Sequence, residues 1–182
     1  MQHSEQRIEG YEPGDGSAIA DDALNKVSAM FEGRIPNFHK VLAISPPVIT
    51  AFEGMRRSLQ KTKLKPIERE IVALEVSRRS NCQYCLAAHS KFMRMYKVSE
   101  EDIAAVVEGT PMSEPRHALV QEATAAIYDS MGHLSDKALN GFYERGLSRA
   151  ELIEIIAVIG WYVLSTFSNN LAQTRIDTFW TD

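Results

Sequence analysis

Apolar residues recur at helical spacing along this chain from Asp21 almost to its end. In the first such segment Ala23, Leu24, Val27 and Met30 return every three or four positions. No segment shows the strict alternation of apolar and polar residues that is typical of a strand. The pattern predicts an all-α fold. The predicted helices lie at about 21–31, 37–45, 47–59, 66–80, 82–96, 99–107, 114–131, 135–145 and 148–174.

The residues between these segments are typical of helix ends and short connections. Asn81 can act as the N-cap of the fifth helix, and Ser148 with Glu151 has the spacing of a capping box. Short connections favour a bundle of antiparallel neighbours. Residues 1–18 contain glycines and a proline and show no helical pattern. We therefore predict an irregular N-terminal arm over 1–18, followed by one all-α domain over 19–182.

Two parts of the chain resemble each other when they are offset by 84 positions. The segment Leu64–His89 then resembles the segment Leu147–Gln173, and Glu70 falls on Glu154. The pattern suggests a duplicated helical hairpin in which only the first copy carries cysteines. Apolar residues at helical spacing also match by chance, so both explanations stay open.

Composition and charge exclude several classes of protein. With 45% hydrophobic and 24% charged residues in 182, the chain is an ordinary globular protein. A net charge of −4 argues against binding to nucleic acid. The polar N-terminus is unlike a signal peptide, and Glu154 interrupts the longest apolar stretch, Leu152–Phe167. We therefore predict a cytoplasmic protein without a membrane span, in which that stretch is a buried helix.

The two cysteines lie three residues apart, which changes this picture. Thiols in the cytoplasm are kept reduced, so a close pair there indicates catalysis, redox chemistry or metal binding. Cys82, Cys85 and His89 have the spacing C-x-x-C-x-x-x-H, which places them on one face of a helix. The start of a helix favours a thiolate at Cys82, and His89 can accept the proton of Cys85.

An acidic residue on the preceding helix completes the candidate site. Glu70 lies twelve residues before Cys82 and would face back towards His89 if the two helices form a hairpin. A buried glutamate can orient a histidine and accept its proton. Glu68 and Glu75 lie on the same helix, and the spacing only mildly favours Glu70.

These residues resemble the motif of the alkylhydroperoxidase D / carboxymuconolactone decarboxylase family. Glu70, Cys82, Cys85 and His89 fit it at every position, and the segment 36–52 is similar to the family's peroxidase-related branch. The resemblance implies a helical-bundle thiol peroxidase with antioxidant activity. Cys85 would attack the hydroperoxide and Cys82 would resolve the sulfenic acid to a disulfide, while Glu70 and His89 relay protons.

The resemblance also implies partners, and one position departs from the motif. The reductant would be a dithiol protein or a lipoyl-type carrier, and the assembly a trimer or hexamer. The best-known peroxidases have a histidine where this chain has Tyr84. A phenol is a poor proton acceptor at neutral pH but can still donate a hydrogen bond, so Tyr84 stays among the candidate catalytic residues. The many apolar stripes independently favour a homo-oligomer. No motif indicates a bound cofactor.

Two alternatives stay open from the sequence. In the first, Glu70 and His89 act as acid and base in a decarboxylase-like lyase, and the cysteines are incidental. In the second, the protein is a non-catalytic redox or zinc-binding protein, with ligands among Cys82, Cys85, His89 and Glu70. Four further residues could line the site; they are His39, His133, Asn169 and Asn170. An ordinary surface or core position also explains the two histidines, and the two asparagines could instead lie at a subunit contact.

Overall fold

The computed structural model describes residues 6–181, and every regular element within them is helical. The α-helices are α1 Ala18–Met30, α2 Asn37–Ala43, α3 Pro46–Leu59, α4 Pro66–Arg79, α5 Gln83–Met95, α6 Glu100–Glu108, α7 Pro115–Asp129, α8 Asp136–Glu144 and α9 Arg149–Ala172, followed by a short 3₁₀ helix, Thr178–Trp180. The predicted all-α fold is confirmed, and the predicted bounds differ from these by a few residues.

Helix α4 lies at the centre of the bundle. It packs against α5, α7 and α9, and Ile71, Val72, Ala73, Leu74 and Val76 are completely buried. Because residues 71–77 are all buried, the middle of this helix is covered on all sides. The helix that carries Glu70 is therefore held rigidly against its neighbours.

The turn between α4 and α5 differs from the prediction in one detail. Asn81 does not cap α5; it takes a left-handed conformation, with φ of 50°, just after α4 ends. Asparagine is one of the few residues that tolerate this region. Cys82 becomes the N-cap, and its Sγ accepts a 3.4 Å hydrogen bond from the backbone N–H of Cys85. The tight turn thus sets both cysteines at the buried start of α5.

Helix α9 is continuous over 24 residues, so the second half of the chain does not repeat the α4–α5 hairpin. A second hairpin would need a turn near Thr166, which instead lies fully buried inside the helix. By length and composition alone α9 could cross a membrane, and it is the one helix in residues 6–181 of which this is true. One of its faces packs against α4 and against α2, α3, α5 and α7, as a core helix does.

Both ends of the described chain are hydrogen-bonded to helices of the bundle. Residues 6–17 form turns and bends, and the backbone N–H groups of Arg7 and Ile8 donate to the carbonyl oxygen of Ala172. The first five residues of the predicted arm lie outside the described part. At the other end, the carboxylate of Asp177 accepts from the backbone N–H of Asn37 at 3.1 Å, and Trp180 is buried. The C-terminal segment is thereby fixed to the start of α2.

Candidate active site

The two cysteines are free thiols buried side by side. Cys82 is 1% exposed and Cys85 2% exposed, and their Sγ atoms lie 2.8 Å apart, with the Cys82 thiol donating to the Cys85 sulfur. Residues three apart at the start of a helix lie within the Cα separation that a disulfide allows. A dithiol–disulfide cycle therefore needs only small side-chain movements here.

Polar groups of α9 surround the sulfur of Cys85. The amide Nδ2 of Asn169 donates to it at 3.3 Å, and the hydroxyl of Ser165 lies 3.7 Å away. The prediction that an amide of α9 faces the site holds for Asn169, whereas Asn170 donates to the carbonyl oxygen of Ser80. Sequence reasoning missed Ser165. Its position one turn before Asn169 on an apolar helix was the available signal.

These surroundings shift the pKa values of the two thiols in opposite directions. Burial opposes ionisation of Cys85, but the hydrogen bond from Cys82, the charge of His89 and the contacts with Ser165 and Asn169 outweigh it and lower its pKa to about 7. The hydrogen bond to Cys85, together with burial, strongly raises the pKa of Cys82. The thiolate that we expected at Cys82 is thus disfavoured, because its donated proton stabilises a negative charge on Cys85.

His89 and Glu70 form a close pair across the α4–α5 hairpin. The ring Nδ1 of His89 lies 2.8 Å from Oε2 of Glu70, and both side chains are largely buried. Burial lowers the pKa of His89, but the hydrogen bond and charge of Glu70, with the charge of Cys85, produce a net rise. The imidazole can therefore hold a proton beside the Cys85 thiolate.

The other two glutamates of α4 have structural partners. Glu68 binds Arg116 at 2.6 Å and caps its own helix, and Glu75 binds Arg78 and Arg79. Each of these carboxylates is almost fully buried and paired with arginine, as buried charges generally are. The spacing alone could not distinguish the three residues, and the tertiary contacts leave Glu70 as the one beside His89.

Tyr84 joins the cysteine helix to the C-terminal segment. Its hydroxyl donates to Asp177 at 2.6 Å and accepts from the indole N–H of Trp180 at 3.1 Å. Burial, followed by the charge and hydrogen bond of Asp177, raises the pKa of Tyr84 well above its ordinary value. Tyr84 remains a neutral phenol with both hydrogen-bonding directions in use. Neither Asp177 nor Trp180 was predicted from the sequence.

A cavity of about 300 Å³ adjoins Cys85 and His89. Much of its wall is aromatic; the rings include Phe31, Phe38, Phe52, Phe92, Trp161 and Trp180. His39, Arg56 and Arg69 supply polar groups. His39 thus lines the cavity, which was one of the two positions that the sequence analysis considered for it. His133, the other candidate histidine, is exposed in the turn after α7. Such a cavity suits an apolar organic molecule.

Metal ligation was an alternative for the same four side chains. Within residues 6–181, no group of three or more histidine, cysteine, aspartate or glutamate side chains is arranged to hold a metal ion. The nitrogen Nδ1 of His89 is engaged by Glu70, and the Cys82 thiol is engaged by Cys85. The contacts between the two thiols and between His89 and Glu70 allow proton movement between sulfur, imidazole and carboxylate.

Comparison with known proteins gives a match in the region of the motif. The model of the carboxymuconolactone decarboxylase family matches residues 46–111, which include Glu70, both cysteines and His89. No curated protein matches the chain.

Solved structures share the fold over nearly the whole chain. An uncharacterized peroxidase-related protein from Ralstonia eutropha JMP134, described as an alkylhydroperoxidase AhpD core, is 20% identical, with a TM-score of 0.86 over 98% of this chain and 95% of that one. A peroxidase-related protein from Silicibacter sp. TM1040 is 17% identical, with a TM-score of 0.79 over 99% and 97%. A variant of the debrominase Bmp8, solved with 2,3,4-tribromopyrrole, is 17% identical, with a TM-score of 0.73 over 98% and 95%. The match of the carboxymuconolactone decarboxylase family model over residues 46–111 agrees with the family that the cysteine motif predicts, and the solved structures show that the chain shares the fold of alkylhydroperoxidase D-like proteins.

Proposed function

We propose that this protein is a thiol-dependent hydroperoxide reductase. The observation that carries the proposal is the pair of sulfur atoms 2.8 Å apart, in which Cys85 has its pKa lowered to about 7 beside a buried His89–Glu70 pair. The family fold agrees with a peroxidase-related function. A thiolate is the nucleophilic form of cysteine, so Cys85 is the attacking residue in this scheme.

The first step oxidises Cys85 and reduces the peroxide. The proton of the Cys85 thiol passes to His89, directly or through water, and the thiolate attacks the terminal oxygen of ROOH. The O–O bond breaks as the S–O bond forms, which gives a sulfenic acid and an alkoxide. His89 returns the proton to the alkoxide, so that ROH leaves. Glu70 stabilises the imidazolium between these two transfers.

The second step forms the disulfide and requires an external reductant. Cys82 attacks the sulfenic sulfur, the S–S bond forms, and the hydroxyl group leaves as water with the proton of the Cys82 thiol. A dithiol must then reduce the disulfide by exchange. Because both sulfurs are buried, a slender carrier such as a lipoyl group fits the role better than a cysteine on a protein surface.

The experiment measures peroxide consumption with a panel of dithiol reductants, together with free thiols counted by mass spectrometry. One equivalent of an organic hydroperoxide should remove two thiols per chain. Cys85→Ser should abolish turnover, and His133→Ala, in an exposed turn, should leave it unchanged. Retained turnover in Cys85→Ser would refute the mechanism.

A lyase that uses His89 and Glu70 as base and acid is the second candidate. The close contact of these two side chains within the matched family region favours it. Alkylation of both thiols would abolish peroxide turnover but leave lyase activity intact. Zinc analysis of the purified protein addresses the non-catalytic alternative, since a stoichiometric zinc content would favour it.

We further propose that the protein forms homo-oligomers in the cytoplasm, where thiols stay reduced. The outward face of α9 exposes an apolar stripe, made of Ile153, Ile156, Leu164, Phe167 and Leu171. A second copy of the chain would cover this stripe, and the family resemblance favours a trimer or hexamer. Phe167→Glu should reduce the mass measured by light scattering to that of the single chain.

A further inference from the structure

We propose that Arg69 binds a carboxylate of the substrate at the opening of the cavity, so that the substrate is an apolar hydroperoxide that also carries an acid group. This inference rests on the proposed function, because it names the substrate class of the same site. The peroxide group would lie at Cys85, in the buried part of the cavity, and the carboxylate at its solvent end.

The exposed residues of the cavity wall show where the cavity opens. They are Met30, Gln60, Pro66 and Tyr96. Arg69 lines the cavity three residues after Pro66 on α4, and it directly precedes Glu70, the partner of His89. Cys85 and His89 themselves are buried. A ligand held at Arg69 would therefore extend from the opening towards the reacting groups.

Arg69 differs from the other arginines of residues 6–181 because it is half-buried and yet forms no ion pair there. Each of the other half-buried arginines binds a glutamate; they are Arg56, Arg78, Arg79 and Arg116. The others that lack an ion pair are fully exposed to solvent; they are Arg7, Arg57, Arg149 and Arg175. A guanidinium is always charged in proteins, and charges withdrawn from water are generally paired. Arg69 thus has a charge that no described residue balances.

The hydrogen bonds of Arg69 leave one edge of its guanidinium unused. Nη1 donates to the carbonyl oxygen of Leu64 at 2.5 Å and to the hydroxyl of Thr62 at 3.4 Å. Nε and Nη2 have no hydrogen-bond partner within residues 6–181. These two nitrogens share one edge of the planar group, and a carboxylate can accept from both of them in parallel.

The charge of Arg69 acts on the interior of the cavity. Tyr162 lines the same wall, and its ring lies 4.7 Å from that of His89. Burial and the charge of Glu70 raise the pKa of Tyr162 well above its ordinary value, whereas the charge of Arg69 opposes this rise. A positive charge that acts on a residue beside His89 can also attract an anion within the cavity.

The stretch of chain beside the opening is basic, although the whole protein has a net charge of −4. Residues 56–69 contain six basic residues and one acidic residue, Glu68, which is buried and bound to Arg116. Glu154 offsets part of this charge, because it accepts from the backbone N–H of Lys63. The excess of positive charge favours the approach of an anion over that of a neutral molecule.

The remaining wall of the cavity decides what kind of anion fits. A single unbalanced guanidinium compensates one negative charge, so a carboxylate suits it better than a doubly charged phosphate. Much of the wall is aromatic, which suits an apolar body between the carboxylate and the peroxide group.

The test compares the binding of 4-isopropylbenzoate with that of 4-isopropylbenzamide, which has nearly the same shape but no charge. Calorimetry on the reduced full-length protein gives both dissociation constants, and the benzoate should bind at least tenfold more tightly, as expected for charged hydrogen bonds. Arg69→Met keeps the apolar stem and should abolish this preference. Arg57→Met removes the same charge from an exposed position outside the cavity wall and should preserve it. A preference that survives in Arg69→Met would overturn the proposal.

The wild-type measurement covers the case in which Arg69→Met does not fold, since equal binding of benzoate and benzamide by the wild type would by itself refute the anion site. Neither ligand is a peroxide, so the two proposals can fail separately. A protein that prefers the benzoate through Arg69 but consumes no peroxide would refute the proposed function alone. Peroxide consumption without this preference would refute the anion site alone.

Discussion

The surroundings of the two sulfurs differ sharply although the cysteines are only three residues apart. Around Cys85 the donors of Cys82, Ser165 and Asn169 converge with the charge of His89, and its pKa falls to about 7. Around Cys82 the main influences are its own bond to Cys85 and burial, and its pKa rises. Position at a helix start therefore does not decide which thiol ionises; the donors that other helices bring to it do.

The largest expected effect tests the division of labour between the two sulfurs. Cys82→Ser should still react once with peroxide and then stop, because no thiol remains to resolve the sulfenic acid. Mass spectrometry should find one added oxygen on Cys85, which a sulfenic-acid probe captures. Sustained turnover in this variant would show that Cys82 is not the resolving cysteine.

The next effect concerns the group that takes the proton from Cys85. His89→Ala should lower the rate of the first step by about 10²–10⁴, the usual contribution of a positioned acid–base group. Stopped-flow measurement of peroxide reduction before any reductant is added isolates this step. His133→Ala is the matched control. If both variants reduced peroxide at the same rate, His89 would not be the group that takes the proton from Cys85.

The pH dependence should separate the two thiols directly. Cys85 ionises as the pH rises through about 7, so its alkylation rate should increase about tenfold between pH 6 and 8 and then level off. Cys82 should stay unreactive over this range because its pKa is raised. The sites are distinguished by peptide mass mapping after short exposure to iodoacetamide.

A matched variant sharpens this comparison. Cys82→Ala removes a hydrogen bond that lowers the pKa of Cys85, so the midpoint for Cys85 should move to higher pH. A midpoint that stayed in place would mean that Cys82 does not stabilise the thiolate.

The smallest expected effect is at Tyr84. Tyr84→Phe should change the rate of the peroxide step less than threefold, since burial and the nearby Asp177 keep the phenol neutral. It should instead lower the thermal stability, because the half-buried Asp177 loses a hydrogen bond. Scanning calorimetry and the stopped-flow assay report the two quantities. A rate loss of a hundredfold would make Tyr84 part of the proton relay.

Much of the fold was predictable because helix-capping residues and helical periodicity can be recognised in the sequence. Ser148 with Glu151 forms the predicted capping box, and apolar residues at helical spacing placed every α-helix. The sequence left open whether the second half repeats the hairpin; it does not, since α9 continues through Thr166. Helical periodicity records which face is apolar, but it does not record whether a long apolar run bends.

The sequence by itself determined the chemistry that is available: two thiols, an imidazole and a carboxylate at a spacing that a helical hairpin brings together. Only the tertiary structure decided which groups interact. It directs Glu70 rather than Glu68 or Glu75 to His89, and it brings Ser165 and Asn169 from α9 to the sulfur of Cys85. The reason is physical, because the pKa of a buried group depends on burial and on charges and donors within a few ångströms, and distant parts of the chain supply most of these.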